Sequence, residues 1–309
     1  MLFFISGLLL FLLGLEGSKK SIKYAVSDNI EKIIKNITNS IFLSLLIGII
    51  ITALIQSSSA VSILAISLIE AGILSLRSAI ALIMGANIGT TITVQIISLP
   101  IISNYPVIII LALIIISIAF LFKNEKIFFS GLAILSFGIV FMGLNIMITY
   151  FQKPEITIII KNILFYSRNS NILGVILGMV VTAIIQSSSA VTAITIGLAY
   201  NNLITLHSAV AIALGSNIGT CITAYIASFS CSKLSKAMSH GHFIFNLVGV
   251  ILILLVYNNF VELIMYTEDN LLRQIANAHT IFNIFNVLIF LPFINTFVSF
   301  LGGEKNEFN

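Results

Sequence analysis

Two runs of amide and hydroxyl side chains carry the chemistry of this chain: Gln56-Ser57-Ser58-Ser59 and, 130 residues later, Gln186-Ser187-Ser188-Ser189. A second motif follows each run, Gly-Ala-Asn-Ile-Gly-Thr-Thr-Ile-Thr at 85–93 and Gly-Ser-Asn-Ile-Gly-Thr-Cys-Ile-Thr at 215–223. Aligned without a gap, residues 52–93 and 182–223 are identical at 22 of 42 positions. Each copy therefore concentrates neutral oxygen and N–H groups at two points, Gln56, Ser57, Ser58 and Ser59 with Asn87, Thr90, Thr91 and Thr93, and Gln186, Ser187, Ser188 and Ser189 with Asn217, Thr220 and Thr223. Free N–H groups at helix N-termini suit an oxyanion, whereas hydroxyl and carbonyl oxygens suit a small hard cation such as Na+.

No carboxylate, lysine or arginine lies in these motifs, and the acid within the hairpin segments is Glu70, matched by Tyr200 in the second copy. Coupled binding of an anion and cations fits this set better than proton transfer through a buried acid. A serine hydrolase is disfavoured, because there is no Gly-x-Ser-x-Gly elbow and the two aspartates, Asp28 and Asp269, fall in connecting segments. Polar small residues also glue transmembrane helices together. Two gapless copies, each paired with the same Asn-Ile-Gly-Thr run, favour a functional site over that reading. A further pattern, His-x-x-Phe-Asn, occurs at 242–246 and 279–283 and puts His and Asn on one helical face, extended by Asn286. Helix pinning explains it at least as well as ligand contact.

The elements that must hold these groups are apolar helices. The chain is 59% hydrophobic and 8% charged with a mean hydropathy of +1.14, which excludes a soluble globule and makes it an all-α polytopic membrane protein. Cys221 and Cys231 support neither a disulfide framework nor a metal site. The first apolar run, 2–15, lacks a basic start and a cleavage site and reads as a retained helix, followed by an interfacial segment at 17–36. Spans need about 20 apolar residues, so the shorter arms around each Gln-Ser-Ser-Ser read as re-entrant hairpins at 37–70 and 171–200. The Gly-Asn-Gly motifs read as unwound turns in broken helices at 75–99 and 205–228. Plain spans are expected at 107–122, 127–151, about 240–257 and 275–300, with a polar linker before Ser170.

Between the two serine triplets lie three crossings, an odd number, which predicts inverted-topology repeats. The division is 1–126 for the first repeat, 127–300 for the second with two closing helices, and 301–309 for a short cytoplasmic tail. Eleven basic residues (Lys19, Lys20, Lys23, Lys32, Lys35, Arg77, Lys123, Lys126, Lys233, Lys236 and Lys305) fall on one face and four (Lys153, Lys161, Arg168 and Arg273) on the other. The positive-inside rule then places the N-terminus outside and the C-terminus in the cytoplasm of the cell membrane.

The doubled Thr-Ala-x-Ile-Gln-Ser-Ser-Ser-Ala-Val hairpins, the Gly-x-Asn-Ile-Gly-Thr motifs, the His-x-x-Phe-Asn helices and Phe-Leu-Leu-Gly-Leu-Glu-Gly at 11–17 together resemble the type II sodium/phosphate cotransporter family over almost the whole chain. The resemblance implies sodium-driven import of inorganic phosphate by a secondary carrier, not an enzyme. Its core contacts would be Gln56, Ser57, Ser58, Ser59, Gln186, Ser187, Ser188 and Ser189, with Asn87, Thr90, Thr91, Asn217 and Thr220 as partners on the broken helices. Sodium, the coupling ion, would share these residues without individual assignment, and no other cofactor is expected. Expected partners are inorganic phosphate, sodium, membrane lipid and, as a candidate assembly, a homodimer; nucleic acid is not expected. Many bacterial relatives add a cytoplasmic helical regulatory domain after the last span, which the expected architecture lacks. Cys221 stands where the first copy has Thr91, so the two halves are not expected to be equivalent. Serine hydroxyls and helix ends would also receive sulfate or a dicarboxylate, and a regulatory or lipid-handling membrane protein is the alternative outside transport.

Overall fold

The computed structural model describes residues 2–35, 40–99 and 104–302. Fourteen α-helices follow one another among these: α1 (Leu2–Lys35), α2 (Ile41–Ile55), α3 (Ser58–Glu70), α4 (Leu76–Ile97), α5 (Tyr105–Phe122), α6 (Glu125–Phe151), α7 (Pro154–Asn169), α8 (Asn171–Ile185), α9 (Ser188–Tyr200), α10 (Leu206–Ser228), α11 (Lys233–Leu255), α12 (Tyr257–Met265), α13 (Leu271–Phe290) and α14 (Ile294–Phe300). Seven helical stretches are long and apolar enough to cross a membrane: Leu2–Ile22 within α1, α4, α5, α6, α10, α11, and the α13–α14 stretch. The protein is a polytopic helical membrane protein. Lys305 and most of the expected tail lie outside the described residues, as do the first residues of the 37–70 hairpin.

The two copies fold with the same local devices. Ser40 and Ser170 cap α2 and α8 by accepting from the backbone N–H of Leu43 and Leu173, each at 3.4 Å. Ser75 and Thr205 cap α4 and α10 through Ser78 and Ser208 N–H. α2 packs along α4 and α8 along α10.

These pairings correct one expectation. Neither α4 nor α10 is broken; both run as uninterrupted helices through the Asn-Ile-Gly-Thr motif. The glycines serve packing instead. A Cβ on Gly48 or Gly85 would overlap the carbonyl oxygens of Leu82 and Leu45 across the α2–α4 crossing, and one on Gly178 or Gly215 would overlap those of Ile212 and Val175 across α8–α10. Glycine weakens a helix by about 1 kcal/mol relative to alanine. Here that loss is offset by backbone contact, the usual role of small residues between membrane helices.

Three smaller expectations also change. The 17–36 segment is not a separate helix, since α1 continues unbroken to Lys35. The expected linker before Ser170 is helical, with Pro154 at the start of α7 and its fixed φ suited to that place. α11 begins at Lys233, and α12 intervenes before α13. Pro292 ends α13 in a single 3-10 turn, as its missing N–H requires.

Two apolar cores result. One gathers α2, α3 and α4 with Met238 and Phe245 of α11 and Phe297 and Val298 of α14. The other joins α1 and α6 to α8, α9, α10 and α13. At the α1–α6 seam a Cβ on Gly143 would lie 2.5 Å from Phe11 N, so these helices also touch backbone to backbone.

Candidate functional site

Each Gln-Ser-Ser-Ser run forms the joint between two short helices. Gln56 and Gln186 end α2 and α8 in the left-handed region, at φ 55° and 59°. For a residue with a Cβ this conformation costs roughly 1–2 kcal/mol. Ser57 and Ser187 are extended and cap α3 and α9, accepting from Ala60 N (3.2 Å) and Ala190 N (3.3 Å). The first-turn N–H groups of Ser58, Ser59, Ser188 and Ser189 have no carbonyl partner within their helices. Both copies therefore present a helix N-terminus dressed with serine hydroxyls.

The surroundings differ between copies. Gln56 is buried and its Oε1 accepts from Ser18 Oγ of α1 at 2.9 Å, whereas Gln186 is exposed. Ser58 and Ser188 are buried in both copies, and Ser189 is buried while Ser59 is half-exposed. The second arm of each hairpin packs across the molecule, α3 against α10 and α9 against α4. Ser59 Oγ lies 3.4 Å from Thr223 Oγ1, so the first serine run meets the second copy's Asn-Ile-Gly-Thr helix directly.

On α4 and α10 three of the motif threonines have committed their protons, whereas the buried Thr93 hydroxyl has no partner. Thr90 donates to Ala86 O (3.0 Å), Thr91 to Ile88 O (2.7 Å) and Thr220 to Ser216 O (3.0 Å). A hydroxyl whose proton is bound to its own helix offers outward only lone pairs, which suits a cation. Thr52 and Thr182, equivalent positions packed against Gly89 and Gly219, are fully buried with no partner for their hydroxyls. Sequence reasoning passed over them, although they open the aligned blocks.

Asn87 and Asn217 hold the helices together. Asn87 Nδ2 donates to Asn246 Oδ1 (2.9 Å) and its Oδ1 lies 3.3 Å from His242 Nε2. Asn217 Nδ2 donates to Ala213 O, and its Oδ1 meets His279 Nε2 at 3.1 Å and accepts from Asn283 Nδ2 at 3.3 Å. Each His-x-x-Phe-Asn motif thus clamps one Asn-Ile-Gly-Thr asparagine, α11 holding α4 and α13 holding α10. The networks assign both imidazoles, when neutral, as Nε2–H donors, because each asparagine's amide nitrogen is already used toward an acceptor. The bonds among these that join different helices are those the helix-pinning reading expects. Cys221 joins the first network, accepting from Asn246 Nδ2 at 3.3 Å.

Glu70 fastens the outer end of the first hairpin. Its Oε1 accepts from Ser232 N (2.9 Å) and Ser235 Oγ (2.6 Å) at the N-terminus of α11. The bonds to Ser232 and Ser235 hold this carboxyl below the usual carboxylate range. The second hairpin ends differently, with Asn201 Nδ2 donating to Ile148 O of α6 at 2.9 Å. Ser232 follows the C-terminus of α10, whereas Tyr200 precedes its N-terminus.

Comparison with known proteins finds relatives over most of the chain. YqeW of Bacillus subtilis (strain 168), an uncharacterized protein, is 32% identical over 254 residues, covering 81% of this chain and 80% of that protein. YjbB of Escherichia coli (strain K12), named as a candidate inorganic phosphate export protein, is 25% identical over 67% of this chain and 38% of its own length. Sodium-dependent phosphate transport protein 2B of Homo sapiens is 44% identical over 64 residues, 21% of this chain and 9% of that protein. No solved structure matches. The Na+/Pi-cotransporter family matches residues 10–149 and 157–287, one segment for each copy of the doubled motif, and the chain belongs to that family.

Proposed function

We propose that the chain is a sodium-coupled secondary carrier that imports inorganic phosphate across the cell membrane. The observation that carries this reading is the pair of serine-dressed helix N-termini, α3 and α9, each laid against the other copy's Asn-Ile-Gly-Thr helix. Phosphate is received by the hydroxyls of Gln56–Ser59 and Gln186–Ser189 and the N–H groups beside them. Sodium takes the lone pairs of Thr90, Thr91 and Thr220, whose protons are committed elsewhere. Asn87 and Asn217 shape the site from behind. The family membership and the relatives named for phosphate transport support the anion.

In this reading residues 1–126 and 127–300 are inverted repeats. The fastening of the hairpins supports it, because the outer ends of α3 and α9 sit by opposite ends of α10, a helix of about 34 Å by its rise per residue. Single cysteines at Gly72 and Asn202, both exposed, are expected to label from opposite sides of the membrane. Labelling from one side overturns the inversion.

The function itself is tested by uptake of labelled phosphate into proteoliposomes. Uptake is expected with an inward sodium gradient, to persist with a protonophore, and to resist competition by sulfate or a dicarboxylate. Uptake driven equally by potassium refutes sodium coupling. A second reading, export, is favoured by the similarity to YjbB. It predicts efflux from preloaded vesicles against an inward sodium gradient.

A further inference from the structure

The 130-residue repeat makes α4 equivalent to α10, and the His-x-x-Phe-Asn motifs, 37 residues apart, make α11 equivalent to α13. In the first copy Gln95 of α4 donates to Asn277 (3.0 Å) and Thr280 (2.9 Å) of α13, closing that corner with polar contacts. Position for position, the second copy has Tyr225, His240 and Phe243. Here the rings of Tyr225 and His240 stand 5.6 Å apart, and a cavity of about 360 Å³ opens between α8, α10 and α11. Met179, Ala183, Ile218, Ile222 and Phe243 line it, and no charged side chain does. Val180, Tyr225 and Phe243 at its mouth are 47%, 48% and 40% exposed on a surface that in a spanning protein faces hydrocarbon.

One end of this groove is basic. Lys233 and Lys236 are exposed and lie seven and four residues before His240, on the same stripe of α11. The ion pairs formed among the described residues are those of Glu16 with Lys19 and Lys20, so neither lysine is neutralised by a partner. Glu70, its carboxylate held by Ser232 and Ser235, adds one negative charge close by, so this end of the groove carries a net charge of one positive from these three groups. Two ammonium groups thus lead, over an imidazole and a phenol, into an apolar hole.

We propose that this groove binds a membrane phospholipid with an anionic headgroup, its phosphate on Lys233 and Lys236 and one acyl chain in the cavity. Free phosphate has no place there, because the wall offers no charged group and, apart from Cys221, Tyr225 and His240, is hydrocarbon. The bound chain lies against Gly219, where α10 is crossed by α8, the first arm of the second hairpin. This site is independent of the transport reading.

The test is photolabelling of the intact protein in phosphatidylcholine vesicles carrying a trace of phosphatidylglycerol with a diazirine at the end of one acyl chain. Phosphatidylcholine with the same chain is the comparison probe. The phosphatidylglycerol label is expected to concentrate on residues 179–183 and 218–225, while the phosphatidylcholine label spreads over the perimeter. Replacing both lysines (Lys233→Gln with Lys236→Gln) removes that preference, which two surface lysines set at up to roughly 30-fold. Ile222→Trp fills the cavity and lowers the label there. Val180→Trp, at the exposed mouth, decides the matter should Ile222→Trp not fold. Three results overturn the proposal: phosphatidylglycerol label spread as evenly as at Leu113 and Leu255, label unchanged in the lysine variant, or cross-links to a second copy in place of lipid.

Discussion

The clamp between His279 and Asn217 is the contact whose removal separates a positioning role from ligand binding. Asn217→Ala deletes an acceptor shared by His279 Nε2–H (3.1 Å) and Asn283 Nδ2–H (3.3 Å) and a donor to Ala213 O (2.9 Å). All three side chains are buried, at 6%, 1% and 0% exposure. Hydrogen bonds between membrane helices average about 0.6 kcal/mol and reach about 1.7 kcal/mol, so the deleted bonds sum to roughly 2 kcal/mol. A buried donor left unpaired adds about 1–3 kcal/mol. The expected loss is therefore about 3–5 kcal/mol, at the upper end of the range for single substitutions. Unfolding by sodium dodecyl sulfate in mixed micelles measures it. In a double-mutant cycle, Asn217→Ala with His279→Ala is expected to show a coupling of about 1 kcal/mol, and the crosswise pair Asn87 and His279 a smaller one. Additive losses for Asn217 and His279, or a phosphate affinity lost while stability is kept, would refute the clamp.

Other consequences are directly measurable. Gly215→Ala normally strengthens a helix by about 1 kcal/mol, yet here the added Cβ meets Val175 O and thermal stability is expected to fall by about 1–3 kcal/mol. Gln186→Gly relieves a left-handed backbone and is expected to stabilise by about 1 kcal/mol, whereas Gln56→Gly gains less because it also loses the Ser18 bond. The Glu70 carboxyl is held below its ordinary value, so its contact is complete at neutral pH and above the unfolded carboxylate range and is lost as pH falls through the lowered value. Acid titration of stability is expected to show this loss in the wild type and to lack it in Glu70→Gln; identical curves contradict the fastening.

The all-α polytopic class was legible because the chain is apolar throughout, and the doubled polar motif marks the joints between short helices that end at Ile55 and Ile185 and restart at Ser58 and Ser188. The misread glycines show where local reasoning stops. Gly85 and Gly215 lower helix propensity in the same way whether they break a helix or admit a neighbouring backbone, and only the packing of α2 and α8 decides between the two. The turn at Gln56 and Gln186 was equally hidden, since glutamine has no preference for positive φ and Ser57 and Ser187 act as caps only once that turn exists. Asn87 and Asn217 read from sequence as ligand partners, and the interhelical bonds they make come from residues 62 to 159 positions away. The His-x-x-Phe-Asn spacing announced a helical face without naming its partner.

The central claim is that the two serine runs build one site, and Ser58→Ala and Ser188→Ala test it most directly. Both hydroxyls are buried at the first turn of α3 and α9; in the proposed site, losing either would remove a hydrogen bond to a charged ligand, about 1–3 kcal/mol or roughly 5- to 150-fold in affinity. Apparent affinities for phosphate and sodium, measured with thermal stability on each single variant and the double, are expected to weaken in both singles while stability holds. Wild-type affinity for phosphate and sodium in either single variant would contradict a site shared by the two copies.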